Sequence, residues 1–125
     1  MNQAPRNRFT VHGRARAFTF ALKGIWTMLR EEPNSVAYGL ITVGIIALGL
    51  WLEIGRYDWA IIFLAGGALW SAEAFNTAIE RAADAVTLEH HPLIGKAKDV
   101  AAGAVLLASI GALVAVLFVL VPYFL

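Results

Sequence analysis

The sequence predicts an all-α membrane protein with three transmembrane helices and an N-terminal amphipathic helix that lies in the membrane interface. Hydrophobic residues make up 59% of the 125 residues and charged residues only 15%, and the mean hydropathy is +0.67. A soluble domain this small would not hide so much apolar surface. Three apolar stretches are each long enough to cross a bilayer as a helix. We expect one integral-membrane domain covering residues 1–125.

The N-terminal segment predicts an amphipathic helix over about residues 14–32. Its polar residues, among them Arg16 and Lys23, recur at helical spacing, and Phe18 and Ile25 lie on the opposite face. A helix with a basic polar side and an apolar side is typical of the membrane interface. The alternative, a soluble helix packing on its own core, is disfavoured because the sequence offers no soluble core to receive it.

The three apolar stretches predict transmembrane helices over about residues 35–52, 59–80 and 98–124. The link from Glu53 to Asp58 contains charges and Gly55, which suits a tight turn between antiparallel helices. The second link, residues 85–99, is longer and polar, and it contains Pro92 and Gly95. We therefore expect two turns of different length, one on each side of the membrane.

The basic residues predict the orientation of the chain in the membrane. Nine of the ten precede the first span or lie between the second and third, and only Arg56 lies in the other link. Basic residues favour the cytoplasmic side, so the N-terminus should be cytoplasmic and the C-terminus outside. The net charge of +1 is too small to argue for nucleic acid, and the absence of cysteine excludes disulfides and thiolate metal sites.

The second predicted span ends in a polar stripe. Glu73, Asn76, Glu80 and Asp84 are spaced 3, 4 and 4 residues apart, so they lie within roughly 80° of one another on a helix. Ionisable groups at membrane depth are costly and usually mark function. Glu73 lies roughly 21 Å along the helix from Trp59, inside the cytoplasmic third of the bilayer. A deep carboxylate beside a shallower one is the arrangement expected for a general base next to a metal ligand.

A divalent metal is the ligand that these carboxylates favour. Glu32 lies on the predicted cytoplasmic side just before the first span and could approach Glu80. Two carboxylates with phosphate oxygens and water form a usual coordination of Mg²⁺. Lys98 and Asp99 open the third span on the same side, and a lysine is a suitable phosphate partner because it is a flexible point charge.

Structural roles compete with these functional ones. Asn76 could hydrogen-bond a neighbouring helix, and Asp84 and Asp99 could cap a helix or pair with a basic side chain such as Lys98. The residues alone therefore reach only a three-span membrane protein with a carboxylate-lined, metal-binding site. The competing function is an ion- or proton-coupled transporter that uses Glu73 and Glu80 as a relay.

The motifs themselves resemble a known family. The run from Glu73 to Glu80 reads Glu-Ala-Phe-Asn-Thr-Ala-Ile-Glu, Asp84 follows, and the run from His91 to Asp99 reads His-Pro-Leu-Ile-Gly-Lys-Ala-Lys-Asp. This long pattern resembles the prokaryotic diacylglycerol kinase family, which includes undecaprenol kinases. The likeness extends over nearly the whole chain from about residue 14, and some segments look closer to the undecaprenol kinase branch.

The resemblance implies a homotrimer of three-span subunits in the bacterial cytoplasmic membrane, with an active site on the cytoplasmic side that neighbouring subunits share. It implies transfer of the γ-phosphoryl of MgATP to the hydroxyl of a membrane lipid alcohol. With diacylglycerol as the acceptor the product would be phosphatidic acid, and with undecaprenol it would be undecaprenyl phosphate. The implied partners are ATP, Mg²⁺ and the lipid.

The resemblance also implies roles for particular residues. Glu73 would be the general base, and Glu32 and Glu80 would bind the metal. A further set would hold the nucleotide and its phosphates: Asn76, Lys98, Asp99, Glu89 and His91. Gly13 stands where some members carry an arginine that contacts the nucleotide, so Arg14 and Arg16 are the candidates for that contact.

Overall fold

The computed structural model describes residues 9–125, and every regular element in this part of the chain is helical. Four α-helices follow one another and a short 3-10 helix at Val121–Phe124 ends the chain. The α-helices are α1 (Val11–Glu31), α2 (Pro33–Trp51), α3 (Arg56–Val86) and α4 (Pro92–Leu120). The prediction of an all-α protein is therefore confirmed.

The chain divides into two compact units, of which the first ends at Val36 and the second is Ala37–Leu125. In the first unit, α1 begins with a cap in which the Thr10 hydroxyl accepts a hydrogen bond from the Gly13 amide at 3.0 Å. It ends at Glu31, and the C-cap residue Glu32 donates its amide to the Met28 carbonyl at 3.1 Å. The buried Ser35 hydroxyl donates to the same carbonyl at 3.0 Å, so the junction between α1 and α2 has its own hydrogen bonds.

Helix α1 carries three of its four Lys and Arg side chains on one face, and Arg14 lies apart from them. Arg16, Lys23 and Arg30 follow at intervals of seven residues, which places them within about 40° of one another on a helix. Phe18 and Ile25, on the other face, are exposed in the unit. The faces agree with the predicted amphipathic pattern, and the position of α1 in a membrane interface stays a prediction.

Two segments of the described chain are long and apolar enough to cross a membrane, namely Pro33–Trp51 and Pro92–Phe124. They correspond to the first and third predicted spans. Helix α3 is not among them, because its apolar stretch runs into the carboxylates of the polar stripe. With 31 residues it extends for roughly 46 Å, which exceeds the thickness of the hydrocarbon core. Its crossing of the membrane stays a prediction.

The core of the second unit lies at one end of its helices. The buried side chains of Ile54, Ile62, Val119 and Leu120 form this core. Beside it, Gly49 lies so close to the Trp59 indole that an added Cβ would approach the ring to 2.7 Å. Small residues allow such close approach of neighbouring helices.

Two hydrogen bonds of Tyr123 join the 3-10 helix to the start of α3. The Tyr123 hydroxyl donates to Asp58 Oδ2 at 2.6 Å and accepts from the Gly55 amide at 3.1 Å. The turn is tight, and Glu53 adopts a φ of 53° in it. The prediction of a short turn between residues 53 and 58 agrees with this geometry.

The second predicted link is wrong in its extent. We expected a polar connection over residues 85–99, but α3 continues to Val86 and α4 already begins at Pro92. Proline fits the first turn of a helix because its missing N–H would have no partner there. His91 caps the helix, since its Nδ1 accepts from the Leu93 amide at 3.2 Å. Pro92 therefore starts a helix rather than interrupting one, and Lys98 lies within α4.

Candidate functional site

The polar stripe of α3 is built as the helical spacing predicts. Asn76 Nδ2 donates to Glu80 Oε1 at 3.3 Å, a contact between residues four apart on one helix face. The amide oxygen of Asn76 is buried, and it makes no hydrogen bond to any described residue. A buried acceptor without a partner is costly. The Asn76 amide oxygen is thus available as a ligand for a further group at this site.

Glu73, the predicted general base, lies one turn before Asn76 on α3 and is half-buried. Three residues earlier on the same helix, Trp70 packs against the Tyr38 ring of α2. Glu73 and Glu80 occupy different surroundings on the same stripe.

The Tyr38 ring is itself held in place. Trp70 packs against it edge-on, with ring centroids 6.1 Å apart at an interplanar angle of 65°. The indole Nε1 of Trp70 donates to the Thr42 hydroxyl at 3.1 Å, and that hydroxyl donates to the Tyr38 carbonyl at 2.7 Å. Trp70 lies three residues before Glu73, so both face α2 from one side of α3.

An apolar groove of about 230 Å³ opens beside this cluster. Tyr38, Thr42 and Trp70 line it at one end, and branched aliphatic side chains such as Ile45 and Ile62 line the remainder. Its walls offer hydrocarbon contact and few polar atoms. Glu73 is not one of its lining residues, and it lies one turn beyond Trp70 on α3.

Lys98 and Asp84 join the start of α4 to the end of α3. Lys98 Nζ lies 2.7 Å from Asp84 Oδ1, and the two side chains are 38% and 49% exposed. Of the structural alternatives considered for Asp84, the structure shows pairing with Lys98. Because both groups remain in contact with solvent, Lys98 stays accessible to a soluble anion.

The turn between α3 and α4 forms a second, more polar pocket of about 330 Å³. Glu89, His91 and Lys98 all line it, so the structure brings together three of the residues predicted to contact a nucleotide. The Glu89 amide donates to the Thr87 hydroxyl at 3.0 Å, which holds the turn. His91 has a structural role as well, because its ring caps α4.

Other predicted residues lie apart from this pocket or in the other unit. Asp99 is exposed on α4, next to Lys98. Glu32 belongs to the unit that ends at Val36, whereas Glu80 belongs to the unit that begins at Ala37. Arg14 and Arg16 are both exposed on α1, but two positions on a helix differ by about 200°. These two arginines therefore cannot direct their side chains to one ligand from the same face.

The oxygen donors of the polar stripe could coordinate a divalent metal ion. Within residues 9–125, no three Asp, Glu or His side chains form a group that could hold a metal. Mg²⁺ needs fewer protein ligands, because it retains waters and takes phosphate oxygens from a nucleotide. The Glu80 carboxylate and the buried Asn76 amide oxygen are hard oxygen donors of the kind that it prefers. The donor set of the stripe fits such an ion.

Sequence patterns did not predict the polar and aromatic contacts between α2 and α3. Tyr38, Thr42 and Ser109 are isolated hydroxyl residues in otherwise apolar stretches, and Trp70 is one of four tryptophans. Each isolated hydroxyl was a signal, since polar groups in a span bond to a partner. The sequence does not show which partner each one meets.

The all-helical chain combines two long apolar helices with half-buried carboxylates on α3, as a small helical membrane enzyme does. A sequence profile described as prokaryotic diacylglycerol kinase matches residues 19–120. The chain belongs to this family, and it is a lipid kinase of the kind found in bacterial membranes.

Individual relatives agree with this assignment. The undecaprenol kinase of Bacillus subtilis is 36% identical over 107 residues, which cover 86% of this chain and 87% of that protein. The diacylglycerol kinase of Escherichia coli K12 is 26% identical over 99 residues, covering 79% and 81%. The diacylglycerol kinase of Pseudomonas aeruginosa is 31% identical over 85 residues, covering 68% and 69%. The family favours the kinase expectation over the transporter.

Proposed function

We propose that this protein transfers the γ-phosphoryl of MgATP to the hydroxyl of a membrane lipid alcohol, and that its acceptor is a polyprenol. The observation that carries the proposal is the half-buried Glu73 carboxylate one turn beyond Trp70 on α3, where Trp70 lines an apolar groove. A carboxylate near a hydrocarbon-lined groove suits an acceptor with one hydroxyl and a long apolar chain. The greater identity to an undecaprenol kinase than to the diacylglycerol kinases supports a polyprenol over diacylglycerol.

Glu73 acts on the acceptor. Its carboxylate accepts the hydroxyl proton while the lipid oxygen forms a bond to the γ-phosphorus. The bond between that phosphorus and the β–γ bridging oxygen breaks, and ADP leaves. Phosphoryl transfer depends mainly on positioning and charge stabilisation, so the chief task of Glu73 is to hold the hydroxyl in line.

The nucleotide is held where α3 and α4 meet. Lys98 exchanges its contact with Asp84 for a phosphate oxygen, and Glu89 and His91 line the pocket that receives the base. Asn76 and Asp99 complete the polar surface around the phosphates, and Arg14 or Arg16 contacts the nucleotide from α1. Glu32 and Glu80 would hold Mg²⁺, which when bound neutralises charge on the β- and γ-phosphates.

The protein works in the bacterial cytoplasmic membrane with its N-terminus and active site on the cytoplasmic side. The distribution of basic residues supports this orientation. We also infer a homotrimer whose neighbouring subunits share each site. The buried Asn76 oxygen without a hydrogen bond in the described chain is consistent with an additional group completing the site.

The decisive experiment measures phosphate transfer in nanodiscs. Purified protein receives γ-labelled ATP, Mg²⁺ and one of undecaprenol, diacylglycerol or no added lipid. Transfer should require Mg²⁺, favour undecaprenol, and disappear in Glu73→Gln while MgATP binding persists. The matched control is Glu53→Gln, which removes an exposed carboxylate from the turn before α3. Full activity of Glu73→Gln would refute the base, and preference for diacylglycerol would refute the polyprenol assignment.

A further inference from the structure

Helix α1 carries a basic stripe, formed by the exposed side chains of Arg16, Lys23 and Arg30. We propose that this basic stripe binds the headgroups of anionic phospholipids, so that α1 gathers such lipids from the surrounding membrane. The inference goes beyond the proposed function and does not depend on it. It concerns the lipids around α1, and it involves no step of phosphoryl transfer.

An apolar face of α1 determines how the helix can lie on a membrane. Four bulky side chains fall within about 60° of one another and are exposed in the unit that ends at Val36, namely Phe18, Leu22, Ile25 and Leu29. The centre of the basic stripe is about 130° from the centre of this face. When the apolar face is buried in the acyl chains, the basic stripe lies on one flank of the helix, and its long side chains reach the level of the headgroups.

An aromatic side chain lies between the apolar face and the basic stripe. Trp26 is 63% exposed, and its position on the helix is about 70° from the centre of the apolar face and about 60° from the centre of the stripe. Tryptophan is enriched where acyl chains meet headgroups. The Lys23 ammonium lies 5.7 Å from the centre of the Phe20 ring, so the middle charge of the stripe is also next to an aromatic side chain. The order of apolar side chains, indole and cations matches the order of acyl chains, interface and headgroup phosphates in a membrane.

The charges of α1 favour an anionic surface over a compact soluble anion. The helix contains four Lys and Arg residues and one acidic residue, Glu31, at its last position. Successive charges of the basic stripe are about 10.5 Å apart along the helix, so the three charges span about 21 Å. One small phosphate compound in solution cannot contact all three at once. A membrane surface can, because it presents many separate phosphates.

The apolar face and the basic stripe contribute differently to lipid binding. Burial of the apolar face holds α1 on any phospholipid, whether the headgroup is anionic or zwitterionic. A basic residue close to an anionic surface strengthens the attraction by about fivefold, and the effect is confined to roughly a Debye length. The basic stripe therefore supplies the preference for anionic lipid, and salt should weaken that preference.

The test measures which lipids surround α1 in the full-length protein. The chain contains no cysteine, so Thr19→Cys carries a single fluorescent label. Thr19 is exposed one turn before Lys23, and its hydroxyl bonds to the Ala15 carbonyl of the same helix. The labelled protein is placed in nanodiscs of phosphatidylcholine with a fixed minor fraction of phosphatidylglycerol. A quenching nitroxide is attached near the headgroup of one lipid or the other, at equal content of labelled lipid.

The ratio of the two quenching efficiencies reports the preference of α1 for phosphatidylglycerol over phosphatidylcholine. We expect a preference of about tenfold at low salt, because several basic residues act together. In about 1 M salt the Debye length is about 3 Å, so the preference should fall toward one.

Three variants identify the residues responsible. Lys23→Gln combined with Arg30→Gln removes two charges of the stripe, and the preference should fall at least about threefold. Lys23→Arg combined with Arg30→Lys keeps both charges and should keep the preference. The matched control is Arg56→Gln combined with Lys96→Gln, which removes two exposed basic residues outside α1 and should leave the preference unchanged.

The outcomes distinguish this proposal from the proposed function. Equal quenching by the two lipids in the unchanged protein overturns it, as does a preference that survives the loss of Lys23 and Arg30. An equal loss in the Arg56 and Lys96 variant also overturns it, because net charge alone would then explain the result. If a charge-removal variant fails to fold, the salt dependence of the unchanged protein decides. None of these measurements requires phosphate transfer, so failure of the proposed function leaves them interpretable.

Discussion

Lys98 Nζ lies 2.7 Å from Asp84 Oδ1, and this ion pair holds the predicted phosphate-binding cation at the junction of α3 and α4. Both side chains are partly exposed, and an ion pair of this kind contributes only about 0–1 kcal/mol to stability. A triphosphate can therefore displace Asp84 at little cost. The pair holds Lys98 beside the pocket that Glu89 and His91 also line, where we propose that the nucleotide binds.

The first prediction concerns the loss of this cation. Lys98→Met keeps the length of the side chain and removes its charge. A hydrogen bond to a charged group contributes about 1.5–3 kcal/mol, so KM for MgATP should rise roughly ten- to a hundredfold. Steady-state kinetics with varied MgATP and saturating lipid measures this KM. Asp84→Asn should leave KM unchanged or lower it by a small factor, because it releases Lys98. An equal rise in both variants would show that the pair acts only structurally.

The second prediction concerns Asn76 and Glu80. Asn76→Leu removes the amide that donates to Glu80 and the buried oxygen beside it. Glu80 then loses the contact that orients it, so the Mg²⁺ concentration for half-maximal activity should rise several-fold. A Mg²⁺ titration at fixed ATP measures the change. Thr77→Val is the matched control, since it alters the adjacent buried residue and leaves the Asn76–Glu80 bond intact. Equal Mg²⁺ dependence in all three proteins would contradict a role for the stripe in metal binding.

Sequence periodicity was sufficient to predict the stripe of α3, because the positions of side chains on a single helix follow from their spacing. The contact between Asn76 and Glu80 is of this local kind. The contacts of Trp70 with Tyr38 and Thr42 are not, since they depend on how α2 and α3 meet. Tertiary contacts of this sort leave no periodic signal in one sequence.

The predicted link over residues 85–99 was wrong in its extent for a different reason. Proline either ends a helix or begins one, and composition alone does not distinguish the two outcomes. The deciding feature was His91, whose ring nitrogen caps the first turn of α4. Histidine is not among the preferred capping residues, so the start of α4 could not be predicted from its cap.

The third prediction tests whether α3 crosses the membrane. The chain contains no cysteine, so single cysteines report sidedness without a background. Glu53→Cys lies before α3 and Leu88→Cys lies after it, and both positions are exposed. If α3 spans the bilayer with the predicted orientation, a membrane-impermeant maleimide added to intact cells should label position 53 and spare position 88. Permeabilised cells provide the control, in which both should react. Labelling of both positions, or of neither, in intact cells would show that α3 does not cross.

The fourth prediction concerns the packing of α2 against the turn before α3. Gly49→Ala would bring a methyl group to 2.7 Å from the Trp59 ring and 3.1 Å from Ile54 Cδ1. The rigid indole and the buried isoleucine leave little room for adjustment, and overpacking typically costs about 1–3 kcal/mol. We expect a lower midpoint of thermal unfolding in detergent, followed by circular dichroism. Gly44→Ala, on the same helix, has nothing within 4 Å of its added methyl group. Alanine favours a helix over glycine by up to about 1 kcal/mol, so this control should keep or raise the midpoint. A lower midpoint in both variants, or in neither, would contradict the close approach of Gly49 and Trp59.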